Sequence, residues 1–334
     1  MNLYASILIP VFNESSNIET CIKNLKKQSC QNFEVIFVDD GSTDNSVTIL
    51  NRVVKDNPNM EIQILQQTNK GAAAARYFAA KIAKHDYVIY HDCDDDISEN
   101  AIVELLSPFC HNNNLDAALF NLKVESVLKN GQKKLNDVEC FSDEKILIGK
   151  DCFINSLNGW KIHSLICTKK TTFLEANKIY ENYNKSLENY INNDEIIGRI
   201  VWTLCSNIIR TDATYYYRCN LKSTTKSINQ DFYKVLRNER MLVKIAHKNN
   251  IDNQCVYTHQ IYMLRFVLKR YVRDKDSIFN KKSWLNEINS HLLWCSIFFI
   301  KLPINWKRRY IKIFLQIQWL RLVSQPLKLL GVRK

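Results

Sequence analysis

The chain has 334 residues and carries 46 Lys and Arg against 34 Asp and Glu, a formal net charge of +12. With 46% hydrophobic and 24% charged residues, the composition excludes a disordered or fibrous chain and favours a large folded domain with room for an extension. Eleven cysteines without a C-x-x-C pair, and a first apolar segment too short for a signal peptide, favour reduced thiols and the cytoplasm.

Short β-branched segments recur through the first 125 residues and predict five strands, at 6–10, 34–38, 61–65, 86–90 and 117–122. Stretches with apolar residues at helical spacing separate them. This alternation predicts right-handed crossovers and an α/β fold with a mostly parallel sheet flanked by helices. Such sheets bind ligands beyond the carboxyl ends of their strands, so the residues that follow each strand are candidate site residues.

The segment after the fourth strand is strongly acidic, with four carboxylates within five residues: Asp92, Asp94, Asp95 and Asp96. Like charges this close raise one another's pKa unless a cation neutralises them. Carboxylate oxygens suit Mn²⁺ or Mg²⁺, which bridge the protein to substrate phosphates. A solvated acidic turn, or a helix N-cap at Asp96 or Ser98, is the alternative interpretation.

Before that strand, Asn69, Lys70 and Gly71 predict a turn that leads into an alanine-rich helix. Arg76 lies one turn into this helix, where its guanidinium could hold a diphosphate through two hydrogen bonds. An ordinary alanine-rich helix is the alternative interpretation.

The positive charge is concentrated at the C-terminus, because nine Lys and Arg and no Asp or Glu follow Glu287, nine of the twelve net charges. Apolar residues recur there at helical spacing: Trp306, Tyr310, Ile313, Phe314, Ile317 and Leu320. The pattern predicts a basic amphipathic helix that lies on an anionic membrane surface. The alternative is a helix packed on its own domain with a solvated basic face. No recognition motif accompanies the charge, which disfavours a nucleic-acid partner.

Taken in order, residues 6–14, 37–44, 69–76 and 92–95 resemble the four opening motifs of the family 2 glycosyltransferases, the last being the metal-binding D-x-D. The resemblance implies a GT-A fold. It also implies a catalytic domain over residues 1–228, with a nucleotide-sugar half at about 1–105 and an acceptor half at about 106–228. Residues 229–334 would form a helical extension that ends in the basic helix.

The resemblance assigns site residues by position. Those expected to line the nucleotide-sugar site are Pro10, Phe12, Glu14, Asp39, Asp40, Arg76 and Asp94. Those expected to hold Mn²⁺ or Mg²⁺ are Asp92, Asp94 and Asp95. Asn193 and Asp194 stand where the family has Glu-Asp, which implies Asp194 as the catalytic base with Glu195 as its rival. For Asp194, an N-cap is the structural alternative.

The activity implied is that of a metal-dependent, inverting enzyme that moves a sugar from a nucleotide-sugar donor, UDP-sugar first, to a glycan or lipid-linked acceptor in cell-surface polysaccharide synthesis. Capsule, O-antigen and exopolysaccharide are the polymers concerned, and the expected place is the inner face of the cytoplasmic membrane. Two alternatives stay open: a polyprenyl-phosphate sugar synthase on the same fold, which needs no base, and a non-catalytic membrane-associated binding protein.

Overall fold

The structure is a computed structural model that describes residues 3–128, 130–157, 159, 161–186, 188–220 and 228–324, with side chains up to residue 320. The chain divides into two compact units, Met1–Lys222 and Ser223–Lys334. The sequence predicts a catalytic domain that ends at residue 228. The segment 221–227 around the division lies outside the described residues.

The first unit is built on one mixed sheet. Its strands are β1 (Ala5–Val11), β2 (Phe33–Asp39), β3 (Ile62–Gln66), β4 (Tyr87–Tyr90), β5 (Asp96–Ile97), β6 (Ala117–Val127), β7 (Lys133–Val138), β8 (Ile146–Ile148), β9 (Ile166–Lys169) and β10 (Asn207–Tyr217). Across the sheet the order is β3-β2-β1-β4-β9-β6-β10-β5, with β7 paired to β6 and β8 paired to β10.

The N-terminal part of this sheet is parallel. β1 pairs with both β2 and β4, so that Leu8 lies opposite Ile36 on one side and Tyr90 on the other. The crossovers are α1 (Ile18–Lys26), α2 (Ser46–Asp56) and α3 (Ala72–Ile82). Every residue of β2 is buried, as expected for a strand covered by helices on both faces. The five predicted strands and the α/β class are confirmed.

The remaining half of the sheet is mixed rather than parallel. β9 lies antiparallel between β4 and β6, and β10 pairs in parallel with β6 but antiparallel with β5 and β8. The helices on this side are α4 (Ala101–His111), α5 (Gly149–Asn155), α6 (Lys170–Tyr183) and α7 (Asn193–Leu204). The short β9 carries no alternation from which its direction could be predicted.

The second unit is helical over its described residues. It contains α8 (Val235–Lys248), α9 (Gln254–Asp274), α10 (Lys281–Ser296) and α11 (Ile304–Ser324), with short 3₁₀ helices at Phe232–Lys234 and Phe299–Lys301. None of the helices in the described part of the chain is long and apolar enough to span a bilayer.

The C-terminal helix α11 packs one face against its own unit. Ile313 and Ile317, which belong to the predicted apolar face, are buried, whereas Phe314 is exposed. The face predicted to enter a membrane is therefore largely the face that packs on the protein. The side chain of Arg321, and Lys328, Arg333 and Lys334, lie outside the described part.

Candidate functional site

The loops after β1 and β2 meet at the carboxyl edge of the parallel strands. Asn13 has a left-handed backbone (φ 58°), and its side-chain oxygen accepts a hydrogen bond from the amide of Thr43 at 2.8 Å. The amide of Asn13 donates to the hydroxyl of Ser42 at 2.9 Å. Between these anchors, Phe12 is 45% exposed at the end of β1. An exposed ring at this position is suited to stacking on a nucleotide base.

Asp39 and Asp40 are buried beside this edge. Asp39 accepts a hydrogen bond from the amide of Ser42 at 3.2 Å, within its own turn. Asp40 accepts from the Gln67 side chain at 2.8 Å and from the amides of Lys70 and Gly71 at 2.8 and 2.7 Å. Asp40 thus holds the turn that starts α3. Direct contact of either aspartate, or of the half-buried Pro10, with the nucleotide stays a prediction.

Glu14, Asp92 and Asp94 bring three carboxyl groups together, of which Asp92 is paired with Arg76. Burial raises the pKa of Glu14 to about 7, and the nearby carboxylates of Asp94 and Asp92 add to the rise. Burial, together with Asp92, also raises the pKa of Asp94, although Asn220 donates a hydrogen bond to it at 2.9 Å. This charge and its oxygen donors fit a divalent cation, which typically uses one or two carboxylates and substrate phosphates.

Asp95, the third predicted metal ligand, is committed to the protein. One of its oxygens accepts from the Tyr215 hydroxyl at 2.9 Å, and the other accepts from the amide of Arg218 at 2.7 Å. Within the described residues, no group of three or more His, Cys, Asp or Glu side chains is arranged to hold a metal ion. Asp92 and Asp94 are therefore the carboxylates that would hold one, and the metal site stays a prediction.

Tyr215 fixes the acidic loop from the opposite side. It is fully buried in β10, and its hydroxyl accepts the amide of Asp92 at 3.0 Å while it donates to Asp95. Arg218 lies three residues after Tyr215, just past the end of β10. It donates hydrogen bonds to Asp96 at 2.6 Å and to Glu125 at 3.3 Å. Arg218 therefore pairs with carboxylates beside the acidic loop.

Replacing Tyr215 with Phe should weaken binding of donor and metal, because the acidic loop loses both hydrogen bonds to the hydroxyl. We expect a loss of about 1–3 kcal/mol in stability, since the Asp95 carboxylate loses a buried partner. Tyr216→Phe, which removes the neighbouring hydroxyl, is the matched control. Calorimetric titration with donor and Mn²⁺ measures the effect, and equal affinities in both variants would contradict it.

Arg76 lies between the acidic loop and the predicted base. Its guanidinium forms an ion pair with Asp92, and its Nη1 lies 3.8 Å from an oxygen of Asp194. The Arg76 side chain is 6% exposed, and burial lowers its pKa less than the two carboxylates raise it. A buried cation thus connects carboxylates that are about 100 residues apart in sequence, 92 and 194.

Asp194 and Glu195 occupy the first turn of α7. Asn192 is the N-cap residue, so the N-cap alternative for Asp194 is wrong. The Asp194 side chain is 44% exposed. Its partial burial and the negative charge of Asp92 raise its pKa, whereas the positive charge of Arg76 lowers it. Glu195 is 55% exposed and lies 3.5 Å from Arg199. Both remain accessible to an acceptor.

Asn193, at the position where the resemblance expects Glu, is a buried structural residue. Its side-chain oxygen accepts hydrogen bonds from the Tyr180 hydroxyl at 2.7 Å and from the amide of Tyr190 at 3.1 Å. Its amide group donates to the carbonyl of Glu188 at 3.0 Å. These contacts fix the start of α7, and with it the position of Asp194.

Two cavities that share part of their walls lie beside the base candidates. One, of about 330 Å³, is lined by Arg76, Asp194, Tyr90 and apolar side chains. The other, of about 700 Å³, is lined by Glu195, Arg199, His163 and Tyr217 among others. Both include Ser164 and Leu165 in their walls. Asp194 therefore lines the smaller space together with Arg76, and Glu195 lines the larger one.

Gly71 connects the turn before α3 to the segment before α7. It has φ 90°, and a Cβ there would lie 2.5 Å from the side-chain nitrogen of Asn189. Asn189 in turn accepts a hydrogen bond from the amide of Ile191 at 2.9 Å. Any side chain at position 71 must displace Asn189 and thereby disturb the approach to α7.

Gly71→Ala should therefore reduce turnover severalfold beyond its backbone cost of about 1–3 kcal/mol. Gly131→Ala is the matched control, since Gly131 has φ 82° and nothing within 4 Å of the added Cβ. Denaturant unfolding and initial rates of transfer measure the two effects. Equal losses of activity in both variants would show that the contact with Asn189 has no role.

Several site residues were beyond sequence reasoning. Tyr215 and Asn220 act through hydrogen bonds to residues far along the chain, and Asn193 through hydrogen bonds to the segment before α7 and to Tyr180. Arg199 and His163 line a cleft. Sequence analysis placed Asn193 where the family has Glu, but it did not reveal the structural role of its side chain. The tyrosine run that contains Tyr215 was the one available signal, and it does not reveal which hydroxyl is buried against the acidic loop.

Known proteins resemble part of this chain in sequence. The family model described as glycosyl transferase family 2 matches residues 6–168. GlyG of Streptococcus pneumoniae is 38% identical over 107 residues, which are 31% of this chain and 35% of that protein. The poly(ribitol-phosphate) beta-glucosyltransferase of Bacillus spizizenii is 30% identical over 219 residues, 64% of this chain and 32% of its own length. The chain spans about a third of these curated relatives.

Solved structures show the same fold. The crystal structure of S. aureus TarS residues 1–349 in complex with UDP-GlcNAc superimposes with a TM-score of 0.62 at 16% identity. The match covers 98% of this chain and 93% of that one. At this identity the similarity concerns the fold, and it extends over both compact units taken along the chain.

Proposed function

Because the chain belongs to glycosyl transferase family 2 through residues 6–168 and has the GT-A fold, we propose that it transfers a sugar from a UDP-sugar to a hydroxyl of a cell-surface polymer or its lipid-linked precursor. The observation that carries the proposal is the position of Arg76 between Asp92 and Asp194. A displacement on a sugar needs charge stabilisation at the leaving diphosphate and a base at the acceptor. Arg76 lies between Asp92, which is suited to the diphosphate side, and Asp194, which is suited to act as the base.

On the donor side, Phe12 offers an exposed ring to the base, and Asp92 and Asp94 would hold Mn²⁺ or Mg²⁺. When bound, the metal would act as a Lewis acid on the diphosphate. The choice of UDP is supported by TarS, which shares the fold and was crystallised with UDP and with UDP-GlcNAc. Arg76 supplies a second, permanent cation at the same place.

On the acceptor side, Asp194 accepts the proton that the attacking hydroxyl loses. Burial raises its pKa, so the carboxylate is a stronger base than an ordinary aspartate. An acceptor that enters from the 700 Å³ cleft reaches the sugar from the side of α7, while the diphosphate lies with the acidic loop. Attack opposite to the leaving group inverts the anomeric carbon, so the product is expected to have the opposite configuration to the donor.

The acceptor we propose is a hydroxyl of a cell-surface polymer, either a glycan or a polyol phosphate. The support lies in the relatives, whose names include a poly(ribitol-phosphate) beta-glucosyltransferase and a teichoic acid poly(glycerol phosphate) polymerase. A polyprenyl-phosphate sugar synthase is the second candidate. It would transfer to a phosphate that needs no base, and so would leave Asp194 without a task.

The proposal is tested with purified full-length protein and a panel of UDP-, GDP- and TDP-sugars, with Mn²⁺, with Mg²⁺ and with EDTA. We expect metal-dependent hydrolysis of a UDP-sugar, and faster release of UDP when a polyol-phosphate or glycan acceptor is added. Absence of binding and hydrolysis for every donor would contradict a transferase. Stimulation by polyprenyl phosphate that survives Asp194→Asn would identify the second candidate instead.

A further inference from the structure

The helix α11 presents a second apolar face, opposite the one that packs on its own unit. Ile313 and Ile317 are buried, but Ile304, Leu315 and Trp319 are 68%, 60% and 60% exposed and Ile311 is 48% exposed. The exposed four follow one another at intervals of seven, four and four residues, which places them along one side of a helix. Ile297 and Ile300, just before α11, are 73% and 87% exposed.

Cations accompany this exposed face. Arg308 follows Ile304 by four residues and Lys312 follows Arg308 by four, so both cations lie along this side of the helix. No ion pair found within the described residues involves Arg308, Arg309 or Lys312, whereas Lys301 pairs with Asp252 at 2.8 Å. The nearest acidic residue before α11 in sequence is Glu287. The face is apolar and positively charged at once.

We propose that this face, made of Ile304, Arg308, Ile311, Lys312, Leu315 and Trp319, docks on the surface of an anionic lipid bilayer. Apolar side chains and Trp enter the boundary between headgroups and acyl chains, and the cations pair with lipid phosphates. A water-soluble partner would need a surface that complements both the apolar side chains and the cations. An anionic bilayer complements both and needs no specific shape to do so. The inference is independent of the catalytic proposal.

The structure also decides how docking is tested. Removal of the whole helix would expose the surface that Ile313 and Ile317 cover, so point variants are needed. Full-length protein is sedimented with vesicles of phosphatidylcholine alone or with phosphatidylserine. We expect binding to the anionic vesicles only. Arg308→Gln with Lys312→Gln should lower the partition coefficient about 25-fold, from ~1 kcal/mol for each cation. Leu315→Ser with Trp319→Ser should lower it at least tenfold.

Matched controls separate docking from folding and from catalysis. Lys23→Gln with Lys26→Gln removes two exposed cations of α1, and Ile148→Ser removes an exposed isoleucine of the first unit. These variants should keep wild-type vesicle binding, and all variants should keep donor hydrolysis and thermal stability. Unchanged binding in the α11 variants overturns the proposal. The proposal is also overturned if the wild-type protein is a dimer in sedimentation equilibrium and the α11 variants are monomers that still bind vesicles. The face would then contact a second copy of the chain.

Discussion

Asp194→Asn will lower the rate of transfer about a thousandfold, within the range that general base catalysis supplies, and will leave donor affinity almost unchanged. The amide is isosteric with the carboxylate but cannot accept the proton of the attacking hydroxyl. Arg76 keeps its ion pair with Asp92, so the cation beside the diphosphate stays in place. Initial rates with saturating acceptor, together with calorimetric titration of donor, measure the two quantities.

Glu195→Gln is the control that assigns the base. Glu195 lies in the same turn of α7 but pairs with Arg199 and lines the larger cleft, so its loss should affect the Michaelis constant of the acceptor more than turnover. Donor hydrolysis by water offers a second readout, because it tests the diphosphate side alone. If Asp194→Asn retains substantial turnover while Glu195→Gln does not, the base is Glu195.

Gly198→Ala will destabilise the protein and reduce turnover, even though alanine favours helices. A Cβ at position 198 would lie 2.3 Å from the Cβ of Ser164 and 3.0 Å from its hydroxyl. Overpacking of this kind costs about 1–3 kcal/mol. Gly198 lies one turn after Asp194 in α7, so the helix that moves to relieve the contact carries the base with it.

A second substitution at the same contact, at Ser164, should reverse the effect of Gly198→Ala. Ser164→Gly removes the opposing Cβ, so the double variant should recover turnover. It should also recover stability, with up to about 0.5–1 kcal/mol gained because alanine replaces glycine inside a helix. Denaturant unfolding of the single and double variants gives the interaction free energy. Additive effects of the two changes would mean that the helix does not press on Ser164.

The strands of the parallel half were predictable because each is a short run rich in β-branched residues between helical stretches, and β1 and β2 are almost wholly buried. The acidic loop and Arg76 were predictable for the same reason: they follow or precede such strands within short motifs. β9 was not, since four residues paired on both sides by distant strands carry no local pattern.

The contact between Arg76 and Asp194 was not predictable either, because it depends on how α3 and α7 pack. The same limit applies to α11. Periodicity identified its apolar positions, but both faces of the helix carry large apolar side chains, and only packing decides that Ile313 and Ile317 are covered. A sequence pattern reveals which residues share a face, not what the face touches.

The position of β9 has a consequence for the order of folding. β4 and β6 do not pair with each other, because β9 (166–169) lies between them, and β10 (207–217) pairs with the other edge of β6. The sheet is therefore complete only after both of these later strands have been synthesised. During synthesis, the nucleotide-binding motifs emerge long before the strand that completes their sheet. Unpaired strand edges favour intermolecular pairing, so the nascent chain is most prone to aggregate between residues 127 and 217. A fragment that ends at residue 168, the last residue matched by the family model, lacks β10 and therefore keeps an unpaired edge of β6.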